Sequence, residues 1–321
     1  MATIGQDIGL AASFLKEIKL VAIPTETVYG LAGNALHLES VASIFETKNR
    51  PNFDPLIIHV SGIEQVEKYT IEFPKSLKKL AENFWPGPMT VLLPRKEIIP
   101  DLVTSGLDRV AVRVPDHPLT LDLLKFLDFP LAAPSANPFG YISPTTAKHV
   151  DAQLGEKIPY ILDGGPCRVG LESTIVGMEG NEVIIYRLGG LEISELEEIV
   201  GKVKIQNHSS SNPQAPGLLE SHYAPRKPFI LGNLVELISD YQSRELDFAV
   251  LSFDRIFKKL SSERQICLSK NSDLKEAAAN LFAAMRLLDE SSAKVILTEL
   301  MPQIGLGKAI NDRLKRAAAQ G

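Results

Sequence analysis

The chain has 321 residues, 45% hydrophobic and 23% charged, which is ordinary globular composition and excludes a mainly disordered chain. A net charge of −5 argues against a protein that lives on nucleic acid by bulk electrostatics. The apolar runs are of strand length, far below the ~20 residues of a membrane-spanning helix, and two distant cysteines, Cys167 and Cys267, fit a reducing cytosol better than a disulfide or zinc framework.

In chain order, short apolar runs at 20–23, 56–60, 89–93, 110–114, 131–133, 160–162, 174–176 and 183–186 predict strands. Helical patterns at 41–48, 76–83 and 119–127 lie between them. Strands interspersed with helices argue an α/β or α+β sheet with helices packed on it. Pro and Gly at the strand ends, as in Pro86-Gly87-Pro88 and Gly164-Gly165-Pro166, stiffen the loops and suit a preformed pocket. At 208–217 the chain turns polar, Pro/Gly/Ser-rich and aperiodic, which reads as a linker. The charge shifts there too: residues 1–204 carry 19 Lys and Arg against 26 Asp and Glu, whereas 205–321 carry 15 against 13. The expected domains are therefore 1–203 and 227–321, joined by 204–226. In the second, 229–231, 248–252 and 295–298 predict strands, and 274–288 and 309–319 helices. This is a small alternating α/β unit without a catalytic constellation. Residues 1–12 lack a basic stretch followed by an apolar block, so no secretory leader and a cytoplasmic location are expected.

Several chemistries are missing from the sequence. There is no GxxxxGK[ST], no GxGxxG opening a helix, no HExxH and no GxSxG. The six histidines are dispersed without metal-ligand spacing. What remains is a set of polar residues in or just after apolar strands. In Val110-Ala111-Val112-Arg113-Val114, alternation puts the valines on one face and Arg113 on the other. An arginine there needs an anion, either a structural carboxylate or a ligand's carboxylate or phosphate. The strand leaving at Ile23 enters a hydroxyl-rich turn, Thr25-Glu26-Thr27. Lys48-Asn49-Arg50-Pro51 ends a helix, where basic residues complement the dipole. Ala132-Ala133-Pro134-Ser135-Ala136-Asn137 offers small residues and hydrogen bonders beside a strand. Ser143-Pro144-Thr145 signals a helix start, Glu172-Ser173-Thr174 opens a strand and Arg187 closes one. Arginines and hydroxyls with few acids favour an anionic ligand, a nucleotide phosphate or an amino-acid carboxylate.

These pieces occur in the order Pro24-Thr25-Glu26-Thr27-Val28-Tyr29-Gly30-Leu31, Lys48-Asn49-Arg50-Pro51, Pro55-Leu56-Ile57-Ile58-His59-Val60, Trp85-Pro86-Gly87-Pro88-Met89-Thr90, 110–115, Ala133-Pro134-Ser135-Ala136-Asn137 and Glu172-Ser173-Thr174-Ile175. In that order they resemble the L-threonylcarbamoyladenylate synthases, the YrdC-like family. Ser221-His222-Tyr223-Ala224-Pro225 and Gly305-Leu306-Gly307-Lys308-Ala309-Ile310-Asn311-Asp312-Arg313 extend the resemblance to the long, two-domain form.

The resemblance implies a YrdC-like twisted mixed sheet with flanking helices, plus a smaller C-terminal Rossmann-like α/β domain. It implies a nucleotidyltransferase that joins L-threonine, bicarbonate and ATP into threonylcarbamoyl-AMP and pyrophosphate. The product would pass to a tRNA threonylcarbamoyl transferase complex, without tight tRNA binding by this chain. Mg²⁺ would come with ATP, held mostly by substrate oxygens and water. By matching positions the resemblance implies a threonine site of Thr27, His59, Arg113, Ala133 and Ser173. The implied ATP site is Arg50, Asp54, Arg109, Ser135, Ser143 and Arg187, with Tyr223 folding in from a lid at 204–226. Asp54 and Arg109 depart from the family's pattern, where Asn and Thr are common. No covalent nucleophile and no protein-held metal are implied. A hydrogenase-maturation carbamoyltransferase shares the domain but would need cysteine-rich zinc modules that the sequence lacks.

Overall fold

A computed structural model describes residues 1–206 and 222–319. The chain divides into two units, Met1–Phe139 with Ser143–Leu219, and Gly140–Ile142 with Glu220–Gly321. The first unit thus continues past residue 203, and residues 140–142 group with the second. The greater part of the expected lid, 207–221, lies outside the described residues.

Among the described residues, the first unit is built on eleven strands: β1 (Thr3–Gly5), β2 (Val21–Ile23), β3 (Gly30–Asn34), β4 (Ile57–His59), β5 (Met89–Pro94), β6 (Arg109–Arg113), β7 (Leu131–Ala132), β8 (Tyr160–Leu162), β9 (Thr174–Glu179), β10 (Glu182–Arg187) and β11 (Lys204–Ile205). Their order across the sheet is β1-β8-β2-β3-β7-β4-β6-β5-β9-β10-β11. Parallel pairs such as β4/β6 and β5/β9 alternate with antiparallel pairs such as β5/β6 and β9/β10, so the expected mixed sheet is present. One face of its central strands is the main core. Ile58 of β4, Val91 and Leu93 of β5, Val110 and Val112 of β6 and Val176 of β9 pack there with Val41, Ile44 and Phe45 of the helix Leu38–Lys48. That helix ends because Asn49 takes the left-handed conformation, φ 52°, which asparagine tolerates well.

Among the described residues the second unit has four strands, β12 (Phe229–Leu231), β13 (Ala249–Ser252), β14 (Gln265–Cys267) and β15 (Ile296–Thr298). They are ordered β12-β15-β13-β14, with every pair parallel. Parallel neighbours need crossovers, and the helices Leu234–Ser243, between β12 and β13, and Leu274–Glu290, between β14 and β15, supply two of them. The latter starts where the Asp273 carboxylate accepts the amides of Lys275 and Glu276, at 2.7 and 3.3 Å. Its buried stripe is Ala277, Ala278, Leu281, Phe282, Met285 and Leu288.

Candidate functional site

The site begins with the alternation of β6. Val110 and Val112 enter the core, so Ala111 and Arg113 point from the opposite face. Register places Ile57 beside Ala111 and His59 beside Arg113, and it places Leu92 of β5 opposite Ala111. Ile57, Leu92, Ala111, Ile175, Ile184 and Tyr186 form a small apolar cluster on this face. Gly177 admits the Tyr186 ring, which a Cβ there would meet at 2.9 Å. The polar residues of the face therefore stand on an apolar floor.

Arg113 is buried, and its partner is Glu26. Nη2 donates to Glu26 Oε1 at 2.7 Å and to Thr27 Oγ1 at 2.9 Å, and Nε donates to the Gly87 carbonyl at 3.3 Å. The second Glu26 oxygen accepts the Asp116 amide at 3.1 Å. The pair's side chains are 5% and 0% exposed, so the structural carboxylate foreseen as one alternative exists. It does not use up the guanidinium, because Nη1 makes no hydrogen bond to the described residues. The turn carrying Glu26 is closed by Thr25, whose hydroxyl accepts the amides of Thr27 and Val28 and donates to the Val28 carbonyl at 2.7 Å. That is why a hydroxyl-rich sequence stands there.

His59 lies beside this pair on the neighbouring strand, 2% exposed. Burial, and then the Arg113 charge, push its imidazole down to about 3, so it is neutral at physiological pH. Its Nδ1 is buried without a hydrogen-bond partner.

Ser173 is also buried. Its hydroxyl pairs with Thr90 Oγ1 at 2.7 Å, and Arg187 donates to both its hydroxyl and its carbonyl, at 3.1 and 3.0 Å. The turn after Arg187 presses on the same segment: a Cβ on Gly189 would meet the Glu172 carbonyl at 2.3 Å, so glycine is required. Glu172 itself accepts the Ser143 hydroxyl at 2.6 Å.

The 133–137 segment hangs from Lys48. The buried ammonium donates to the carbonyls of Ser135 and Asn137, both at 2.5 Å, and burial holds its pKa well below the usual lysine range. The Ala133 amide donates to the Ile57 carbonyl at 3.1 Å, which leaves its own carbonyl as the backbone group it can offer a ligand. Arg50 donates to the carbonyls of Asp54 and Pro55 at 3.0 and 2.8 Å and pairs with the Asp54 carboxylate at 2.9 Å. Asp54 is fully buried, so its charge is turned on Arg50 rather than on a polyanion. Arg109 donates to the Tyr186 hydroxyl at 2.8 Å. Tyr223 belongs to the second unit, where it stacks on Phe282 at 5.6 Å under the Arg313 guanidinium and is 1% exposed.

The structure thus brings Thr27, His59 and Arg113 together, joins Ser173 to Arg187, and sets Ser143 on Glu172. Sequence reasoning missed Glu26 as the partner of Arg113, together with Lys48, Thr90 and Glu172. Lys48 had a readable signal. It follows Val41, Ile44 and Phe45 on the core stripe at helical spacing, where a lysine needs acceptors.

Among the described residues no three His, Cys, Asp or Glu side chains converge to hold a metal ion. Of the carboxylates around the site, Asp54 and Glu26 are paired with arginine, and Glu172 accepts the Ser143 hydroxyl.

Two family models cover the chain. The Sua5/YciO/YrdC model, described as "Telomere recombination", matches residues 13–189, and "Threonylcarbamoyl-AMP synthase, C-terminal domain" matches 191–319. The threonylcarbamoyl-AMP synthase of Pyrococcus abyssi is 40% identical over 97% of this chain and 94% of its own length. That of Bacillus subtilis is 37% identical over 99% and 94%. The crystal structure of P. abyssi Sua5 complexed with L-threonine superposes with a TM-score of 0.92 at 38% identity, covering 99% of this chain and 98% of that one. With both units matched in order over nearly the full length, the chain belongs to the Sua5/YrdC family of threonylcarbamoyl-AMP synthases.

Proposed function

We propose that this chain is a nucleotidyltransferase that makes L-threonylcarbamoyl-AMP from L-threonine, bicarbonate and ATP and releases pyrophosphate. The product serves threonylcarbamoyladenosine formation in tRNA next to the anticodon. The observation that carries this reading is the Arg113 cluster, with Thr27 and His59, in a family whose P. abyssi member binds L-threonine.

The threonine amine adds to the carbon of bicarbonate and water is lost, which gives a carbamate. A carbamate oxygen then attacks the α-phosphorus of ATP, and pyrophosphate leaves. No enzyme nucleophile is needed, so positioning and charge neutralisation carry the rate. Arg113 receives the threonine carboxylate on its Nη1 edge, while Glu26 and Gly87 hold the rest of the guanidinium in place. Thr27, Ser173 and the Ala133 carbonyl complete the threonine site. His59, being neutral, hydrogen-bonds there without adding a second positive charge. Arg50, Arg109, Ser135, Ser143 and Arg187 form the nucleotide site, with Asp54 orienting Arg50. Mg²⁺ enters on the ATP phosphates.

We propose a cytosolic location for the reaction. Both cysteines are free thiols, which supports a reducing compartment. The adenylate is handed to a tRNA threonylcarbamoyl transferase complex. The excess of acid over base in residues 1–204 supports weak tRNA binding by this chain alone.

Purified protein should release pyrophosphate from ATP only when threonine and bicarbonate are both present. Release that ignores threonine would overturn the reading.

A further inference from the structure

Alternation gives β5 two faces. Met89, Val91 and Leu93 enter the main core, so Thr90 and Leu92 turn to the face that carries the site, where Leu92 joins the apolar cluster. Val91 pairs with Val112 of the antiparallel β6, so Thr90 and Arg113 are the next residues along on the two strands. On its other side Thr90 pairs with Ile175 of β9, two residues after Ser173. His59, Arg113, Thr90 and Ser173 thus follow one another across β4, β6, β5 and the start of β9, which is the order of those strands in the sheet. Thr90 has no part in the reading above.

Thr90 is buried, and its hydroxyl makes one hydrogen bond to the described residues, the 2.7 Å bond to Ser173 Oγ. Ser173 Oγ has a second partner in Arg187, whose Nη2 lies 3.1 Å away and can only donate. Arg187 is also held to this segment through the Ser173 carbonyl, from Nε at 3.1 Å and Nη2 at 3.0 Å. The two hydroxyls carry two protons and share one bond, so one proton is left to give. If Ser173 gave its proton to Thr90, the spare one would sit on Thr90, whose neighbours Leu92 and Ile175 offer no side-chain acceptor. If Thr90 gives, both lone pairs of Ser173 are filled, by Thr90 and by Arg187, and the spare proton lies on Ser173.

We propose that Thr90 is a positioning residue for the threonine site, donating to Ser173 so that the Ser173 hydroxyl meets the substrate as a donor only. Such a hydroxyl binds a carboxylate or hydroxyl oxygen of threonine and turns away its amine, the group that must stay free to react. The proposal rests on the threonine reading of Ser173 given above.

The test uses the full chain with Thr90→Val, Thr90→Ser, Ser173→Ala and the Thr90→Val/Ser173→Ala pair. Valine keeps the shape and removes the hydroxyl, and Thr90→Ala takes its place if the valine variant does not fold. Losing one neutral hydrogen bond that orients a ligand donor predicts a KM for threonine raised about three- to tenfold in Thr90→Val, with kcat and KM for ATP within about twofold. Thr90→Ser should bring KM for threonine back to within about twofold of wild type. The double variant should be no worse for threonine than Ser173→Ala, since Thr90 acts only through Ser173. It should also be the more stable of the two, with a folded-to-unfolded ratio in urea about tenfold higher, because Ser173→Ala strands the buried Thr90 hydroxyl and Thr90→Val removes it. Additive KM effects, equal loss for both substrates, an impaired Thr90→Ser, or a double variant no more stable than Ser173→Ala overturns the proposal. Ser173→Ala separates two failures. An unchanged KM for threonine there overturns the threonine reading of Ser173 and the proposal with it, whereas a normal Thr90→Val beside an impaired Ser173→Ala overturns the proposal alone.

Discussion

Replacing Arg113 separates a structural ion pair from a ligand clamp, because the residue is the first in the structure and is proposed to be the second. Arg113→Ala leaves the Glu26 carboxylate, 0% exposed, with the Asp116 amide as its remaining donor. Removing one partner of a buried pair costs about 3–5 kcal/mol, a large part of an ordinary folding free energy of about 5–15 kcal/mol. Losing the contact to the threonine carboxylate adds about 2–5 kcal/mol in threonine use, or at least about thirtyfold in kcat/KM. The informative variant is Arg113→Met with Glu26→Gln. It removes both charges and keeps an acceptor for the Asp116 amide, so stability should return to within about 1–2 kcal/mol of wild type. Threonine use should stay lost.

Urea unfolding can be followed at Trp85, the sole tryptophan, whose indole donates to the Met89 carbonyl at 2.7 Å, two residues from the Gly87 carbonyl that Arg113 holds. Threonine-dependent pyrophosphate release reads the other axis. Recovery of both stability and threonine use in the double variant would refute the clamp. An Arg113→Ala protein as stable as wild type would refute the energetics of the pair.

Two further perturbations address the neighbours. His59 is neutral in the fold with a pKa near 3 and is protonated below about 6.5 when unfolded, so the unfolded chain binds the extra proton as pH falls and stability is lost between those values. Between pH 7 and pH 5 the wild type should lose about 2 kcal/mol more than His59→Asn in paired urea melts, and parallel pH profiles would count against a buried neutral imidazole. Lys48→Met strips the donor from the Ser135 and Asn137 carbonyls, and should cost about 1–3 kcal/mol of stability while raising KM for ATP more than KM for threonine. Wild-type melting and kinetics in that variant would show that the ammonium holds nothing of consequence.

Much of the sheet was legible because its strands are apolar runs of the right length. The predicted run at 160–162 coincides with β8, and those at 89–93 and 183–186 fall inside β5 and β10. The strands that escaped had no such signal. β3, Gly-Leu-Ala-Gly-Asn, lacks β-branched residues and is held by pairing with β2 and β7 on either side. β1 and β11 are short edge strands, and β14 is an edge strand whose residues are only partly buried. In the site, alternation sufficed to turn Arg113 away from the core. Its partner was beyond reach, since Glu26 lies 87 residues earlier and only the fold joins them. The same holds for Tyr141 and Asp289, 148 residues apart. Spacing reveals contacts within an element, whereas pairs made by topology leave no local trace.

Those pairs bear on how the site handles its substrates. The threonine carboxylate, bicarbonate and the ATP phosphates are all anions, and bringing them together calls for positive charge. Bare buried arginines would be costly in the empty protein and would repel one another. Here Arg113 is backed by Glu26 and Arg50 by Asp54, each at ion-pair distance and each with a fully buried carboxylate. Each carboxylate pays for its arginine's burial, fixes its orientation and lowers the net charge of the empty site. The positive potential an anion meets is then that of an oriented guanidinium edge rather than of a whole cation. Such an edge is selective for where charge sits, and this placing of charge is what a reaction without an enzyme nucleophile requires. The Asp at position 54 fits that logic. It pairs with Arg50 at 2.9 Å, which is the role proposed for it behind a nucleotide site.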